Sequence, residues 1–203
     1  MDTIKFVEYS FYAERLCLGE RKKGGIFHPS ARVLAYSQIR GAFYQNLGLK
    51  VHGVGVLENT NQVNYLTMAP QDRVTGKPRV PLTVMFLEDV KGKVYLLDED
   101  DLSSKLDDKL DLHIGGLKSR GLGKCLLKDK NILEIKEDHY IKGILNTRLP
   151  KAIARKFGIV EEYMPQYGYL FEPLDEETGH YILSYFEGTT VRGPKIFLKP
   201  EGN

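Results

Sequence analysis

Cysteine is scarce in this chain of 203 residues: Cys17 and Cys125 are the only two, and they lie far apart. Two distant thiols cannot build a disulfide framework or a cysteine-rich zinc site, and such sparing use fits a reducing compartment. Long apolar runs are missing too. No window approaches the roughly 18 apolar residues of a membrane span, and the opening Met-Asp-Thr-Ile-Lys-Phe has no apolar signal-type core. The expectation is a cytoplasmic protein with no membrane segment. Charge of one sign is also lacking. With 29 Lys and Arg against 27 Asp and Glu, the formal net charge is only +2, which excludes a histone-like basic balance. Any polyanion must be met by local clusters of cations. There is no internal repeat and no low-complexity tract. What remains is a 42% hydrophobic, 28% charged composition, that of a globular chain of one large or two small domains.

Glycine is concentrated in one place. The stretch His113-Ile-Gly-Gly-Leu-Lys-Ser-Arg-Gly-Leu-Gly-Lys-Cys125 carries Gly115, Gly116, Gly121 and Gly123 beside Lys118, Ser119, Arg120 and Lys124. Residues without a Cβ adopt positive φ and let backbone N–H groups approach a phosphate, while the cations supply charge. Neither a G-x-x-x-x-G followed by Lys-Ser/Thr nor a G-x-G-x-x-G spacing can be drawn here, so a nucleotide-hydrolysing phosphate loop is not expected. A plain surface turn would use the same composition.

Hydrophobic patterning orders the elements. Residues 3–18 are rich in β-branched and aromatic residues and predict a strand. A breaker-rich loop over 20–33 follows, with Arg21, Lys22 and Lys23. Ser37 is placed as the cap of a helix running to Leu47, with Ile39, Ala42, Phe43 and Leu47 on one face and Gly48 as its stop. Strands are expected at 50–58, 81–88 and 94–97, the last two joined by a turn at 89–93. An insert near 66–82 holds a Thr-Gly pair between Pro-bounded arms and carries Arg73, Lys77 and Arg79, and it reads as a basic hairpin. Residues 98–110 start acidic, space Leu102, Leu106 and Leu110 four apart, and predict a second helix. Two short strands at 124–127 and 132–135 around a turn at 129–131 complete a β-α-β-β-α-β order, the split ferredoxin-like pattern. Residues 1–135 are thus read as one α+β domain of ferredoxin-like (RRM-type) class. Residues 136–203 are read as a smaller β-rich extension with a short helix at 150–157, a tyrosine-rich run and strands at 181–186 and 195–199.

Two segments of this chain resemble the RAMP superfamily of CRISPR-associated proteins. Ile-Gly-Gly-Leu-Lys-Ser-Arg-Gly-Leu-Gly-Lys at 114–124 is similar to that superfamily's glycine-rich loop in residue types and in its place before the fourth strand. Ala-Tyr-Ser-Gln-Ile-Arg-Gly-Ala-Phe at 35–43 is similar to its first-helix segment, where a small hydroxyl residue, here Ser37, precedes a hydrophobic-basic-glycine triplet containing Arg40. The resemblance implies a guide-RNA-binding subunit of a type III-like effector complex, with guide RNA and other effector subunits as partners, target RNA met indirectly, and a role in antiviral defence. It also implies a hairpin that bends the guide, and the insert with Arg73, Lys77 and Arg79 lies where that hairpin would fall. Subunits of that group that cut target RNA carry an aspartate in the loop before the first helix. Residues 19–35 here contain Glu20 but no Asp, so a non-catalytic subunit with no metal and no cofactor is expected. Tyr36, Phe27 or the hairpin would stack or wedge bases.

Two alternative readings stand beside this one. A metal-independent guide-processing ribonuclease would draw on His28, Tyr36 and Lys22 for proton transfer, although that family's glycine loop lies close to the C-terminus, and here about 80 residues follow it. A protein-interaction scaffold would use the tyrosine-rich segment 163–171. His52, His139 and His180 lack metal-type pairing and read as structural or surface residues. His113 reads either as a phosphate contact or as the end of the preceding helix.

Overall fold

The computed structural model describes residues 3–19, 25–72, 74–77, 79–173 and 178–200. Among the described residues the fold is mixed α/β and rich in strands, with three sheets and one helix of three turns.

The largest sheet is organised by three long strands: β1 (Thr3–Leu16), β5 (Leu82–Leu97) and β7 (Lys124–Lys136). β1 lies between the other two and is antiparallel to both. Beyond β5, antiparallel to it and end to end, lie β3 (Gly53–Leu57) and β4 (Val63–Met68); beyond β7 lies β6 (Leu110–His113). The two-residue β2 (Phe27–His28) runs parallel to β5, past the point where β1 ends. The helix α1 (Tyr36–Leu47) covers one face. There Ile39, Ala42 and Phe43 pack on Val7, Tyr9, Phe11 and Leu96, the alternate residues that a strand turns to one side.

Four sequence expectations give way here. The strands expected at 81–88 and 94–97 are one strand, β5, because Asp89 adopts a left-handed φ of 48° without leaving the ladder to β1. The interruption falls on its neighbour instead: between β3 and β4, Asn59 accepts from the Lys91 N–H and donates to the Asp89 carbonyl. The turn expected at 129–131 is likewise a bulge inside β7, with Asp129 at φ 58° and a register shift opposite Tyr9. The helix expected at 98–110 shrinks to one turn, α2 (Leu102–Lys105), and its last residue opens β6. Asp100 and Asp101 are left-handed, Asp98 takes the Ser103 N–H and hydroxyl, and Lys130 donates to the carbonyls of Ser103 and Leu106. Those side-chain bonds replace the helical ladder. Finally, Ser37 does not cap α1. Ala35 occupies that position, its N–H donating to Gln38 Oε1 at 2.8 Å, and the Tyr36 N–H donates to the Arg148 carbonyl. The stop is as expected, with Gly48 at φ 70°.

Residues after 136 form the other two sheets. One contains β8 (Tyr140–Leu145), β10 (Glu161–Met164), β13 (Thr190–Pro194) and β14 (Leu198–Lys199). The other contains β9 (Leu149–Pro150), β11 (Tyr167–Pro173) and β12 (Gly179–Tyr185). Residues Lys151–Phe157 are helical as expected but wound as a 3-10 helix. This half packs on the second face of the large sheet through an aromatic cluster. Phe197 meets Phe6 and Tyr95 edge-on at 5.5 Å each and Phe157 at 5.9 Å. Buried Thr147 donates to the Leu34 carbonyl and ties the segment before β9 to the approach to α1. Among the described residues no helix is long and apolar enough to cross a membrane.

Candidate nucleic-acid interface

The glycine stretch joins β6 to β7 and is a folded loop. Gly115 sits at φ 85° against β1's continuation, where a Cβ would lie 2.2 Å from the Cys17 carbonyl oxygen. Gly123, also at φ 85°, is as close to the Ile114 carbonyl. The amides of Gly116 and Gly123 donate to the carbonyls of Cys17 and Arg15, and those of Arg120 and Gly121 close a single 3-10 turn over Lys118–Arg120. Much of the N–H supply that the sequence offers to a phosphate is therefore used within the protein. What the loop presents outward is side-chain charge: Ser119, Arg120 and Lys124 are exposed and Lys118 is half-buried.

α1 is pinned beside this loop. Asn46 donates to the His113 carbonyl and accepts from its N–H, and Lys118 Nζ donates to Gln45 Oε1 at 2.7 Å. Between them lies a groove of about 420 Å³ lined by Ser37, Gln38 and Gly41 of the helix, Gly115, Gly116 and Lys118 of the loop, and Phe171 of β11. Through Gly19, Ser37, Gln38 and Phe171 it continues into a second concavity of about 430 Å³, bordered by Arg148, Tyr169, Tyr181 and Phe186. The two segments that carry the sequence resemblance, 70 residues apart in the chain, thus face each other across one groove. Gly121 and Lys124 turn elsewhere, into a separate recess with Tyr12, Glu14, Arg15 and Asp111.

The remaining candidates divide. Arg40 is committed: its Nε is 2.6 Å from a Glu172 carboxylate and its Nη1 donates to the Tyr36 hydroxyl at 2.9 Å. That hydroxyl is 2.8 Å from His52 Nδ1, and Tyr36 is only 2% exposed. Burial raises the Tyr36 phenol's pKa and is the leading cause that lowers that of His52. An arrangement in which the hydroxyl accepts from Arg40 and donates to Nδ1 keeps His52 neutral. Tyr36 is thus a core residue and cannot stack a base, contrary to expectation, whereas Phe27 is exposed and lies beside Tyr65. His28 stands half-buried on β2, pairing with β5 rather than with Tyr36. The insert between β4 and β5 joins two antiparallel strands. Gly76 turns at φ 66°, and Asp72 accepts from the amides of Val74 and Thr75 and pairs with Arg79 at 2.6 Å. Those bonds, the Thr75 amide foremost, hold the Asp72 carboxyl down at about 2. Lys77 is exposed there. Arg21, Lys22, Lys23 and Arg73 lie outside the described residues.

Sequence reasoning missed Gln38, Gln45, Arg148 and Phe186 as groove residues. The aromatic β11 was legible as a tyrosine-rich run, but its place beside α1 depends on a contact across about 130 residues of chain, which no local pattern announces. Among the described residues no group of three or more His, Cys, Asp or Glu is arranged to hold a metal.

The described residues form a strand-rich α/β fold with a groove between α1 and a glycine loop. Over 93% of its length the chain matches a chain of the type III-B Cmr-beta structure bound to cognate target RNA and AMPPnP (state 1), with TM-score 0.55, 10% identity and 86% of that chain covered. A chain of Cmr-beta bound to cognate target RNA gives TM-score 0.51 and 11% identity, covering 94% of this chain and 86% of the other. At that identity the likeness is one of fold, and it agrees with the RAMP resemblance read from the two motifs. No family model and no curated protein matches this sequence.

Proposed function

We propose that this chain is a non-catalytic RNA-binding subunit of a CRISPR RNA-guided effector complex, seating guide RNA along the groove between α1 and the glycine loop. The observation that carries this reading is the convergence of residues 35–43 and 114–124 on one groove. The fold supports it: Cmr-beta, whose chains are alike in fold, is described bound to cognate target RNA. A ferredoxin-like core is supported by the spatial order β3/β4, β5, β1, β7 with all neighbours antiparallel, the arrangement a split β-α-β-β-α-β chain adopts, with its second helix reduced to α2. At the groove, Lys118 meets phosphates as a side-chain cation, Arg120 stands exposed two residues along the same loop outside the groove lining, and Ser37 and Gln38 offer polar contacts to the backbone. The protein reads no sequence, since pairing with the guide does that. Partners are guide RNA, target RNA through it, and the other effector subunits; the setting is the cytoplasm.

The test is affinity for a guide-length single-stranded RNA at two salt concentrations, wild type beside Lys118→Ala/Arg120→Ala. The wild type should show a steep salt dependence, and the double variant should lose affinity and reduce the slope by about one to two, since each lost phosphate contact removes about one released counterion. Unchanged affinity and slope would remove the loop from the interface.

A further inference from the structure

β11 and β12 form an antiparallel ladder in which Tyr169 faces Leu183 and Phe171 faces Tyr181. Cross-strand partners share a face, so these four side chains lie together on one side, while Leu170 and Ser184 turn into the core. An ordinary half-buried hairpin turns polar residues outward. This one does the reverse: Tyr169 is 66% exposed, Tyr181 61% and Leu183 42%. Phe171 and Tyr181 already meet edge-on at 5.5 Å, leaving Tyr169 and Tyr181 with open ring surface.

The position of this face points to its occupant. Phe171 lines both parts of the groove, and Tyr169 and Tyr181 border the part away from the glycine loop. A strand whose phosphates follow Lys118 would bring its next bases onto these rings. Tyrosine rings with polar edges suit nucleobases, which offer a π-face whatever their sequence.

We propose that the outer face of the β11–β12 hairpin, centred on Tyr169 and Tyr181, is a base-stacking platform for single-stranded RNA leaving the α1–glycine-loop groove. The inference rests on the groove being the RNA site. It adds a second mode of contact, uncharged and indifferent to sequence, at the far end of that site.

The test uses the full-length protein and two fluorescent probes of equal length, an ordinary single-stranded RNA and its abasic counterpart, which keeps the phosphates and lacks the bases. Wild type should bind the ordinary RNA more tightly. Tyr169→Ala/Tyr181→Ala should weaken that binding roughly ten-fold or more, on the usual worth of a stacked base, leave the salt slope unchanged, and erase the preference over the abasic probe. Tyr169→Phe/Tyr181→Phe should restore both, and matching melting temperatures would show that the alanine variant is folded. An alanine variant that keeps wild-type affinity and preference overturns the platform. So does one that weakens both probes equally, or one that binds RNA normally but fails to join its protein partners, which would make the face a protein interface. If wild type binds neither probe, the underlying groove reading fails, a result distinct from each of these.

Discussion

Gly115 and Gly121 belong to the same loop and share a positive φ, yet they do different things. At Gly121 a Cβ would meet nothing within 4 Å, whereas at Gly115 it would strike the Cys17 carbonyl. Gly121→Ala therefore carries only the cost of a left-handed backbone, about 1–2 kcal/mol. Gly115→Ala adds a backbone collision and should destabilise by clearly more. Thermal or denaturant unfolding of the two variants checks this, and equal losses would show that the loop does not pack on residue 17 as described. The composition announced a loop needing glycine. It did not reveal that two of the four glycines serve close packing and that Gly121 serves the turn, because Gly115 packs on the continuation of β1, about 100 residues earlier in the chain, and Gly123 folds back onto the Ile114 carbonyl at the loop's start.

α1 and the approach to β3 are joined by the Arg40, Tyr36 and His52 relay, and this junction has a pH signature. Burial lowers the His52 pKa below its ordinary 6.5, with Glu99 acting in the opposite sense and Lys156 and Arg40 reinforcing the shift. The unfolded chain therefore takes up the proton first as pH falls. The junction's contribution is complete above the ordinary histidine value and declines as pH drops through it toward the lowered folded value. Between pH 7 and 5.5 wild-type stability should fall, and His52→Gln, which leaves an acceptor for Tyr36, should flatten the slope; an unchanged slope would count against a neutral, half-buried His52. Element boundaries were legible where side-chain pattern and backbone agree, as in α1 with its Gly48 stop and in β1. They were misread at Asp89, at Asp129 and across 98–110, where aspartates take left-handed conformations inside or beside strands. Such residues look like turns in sequence. Only their partners, a continuous β1 opposite β5 and β7, hold the chain in the sheet.

At the scale of the molecule, the β-rich half after residue 136 shares a core with the large sheet. Phe197 is the hub, 1% exposed and touching Phe6, Tyr95 and Phe157. Phe197→Ala should cost roughly 3–5 kcal/mol and lower a single calorimetric transition as a whole; a separate, unshifted transition for part of the chain would show that the two halves are not coupled there. This shared core also sets the groove, since it holds β11 against α1. A near-neutral chain can engage a polyanion only through such local assembly, here Lys118 and Arg120 on the loop, since Arg148 at the far end is paired with Glu187 at 2.6 Å.

RNA seated as proposed lies between α1 and the glycine loop, and crosslinking maps its position. Photocrosslinking of the full-length protein to a guide-length single-stranded RNA, followed by peptide mapping, should place crosslinks in residues 35–45 and 113–124. Crosslinks confined to the hairpin between β4 and β5 or to the recess around Tyr12, with both groove segments unmodified, would put the RNA outside the groove.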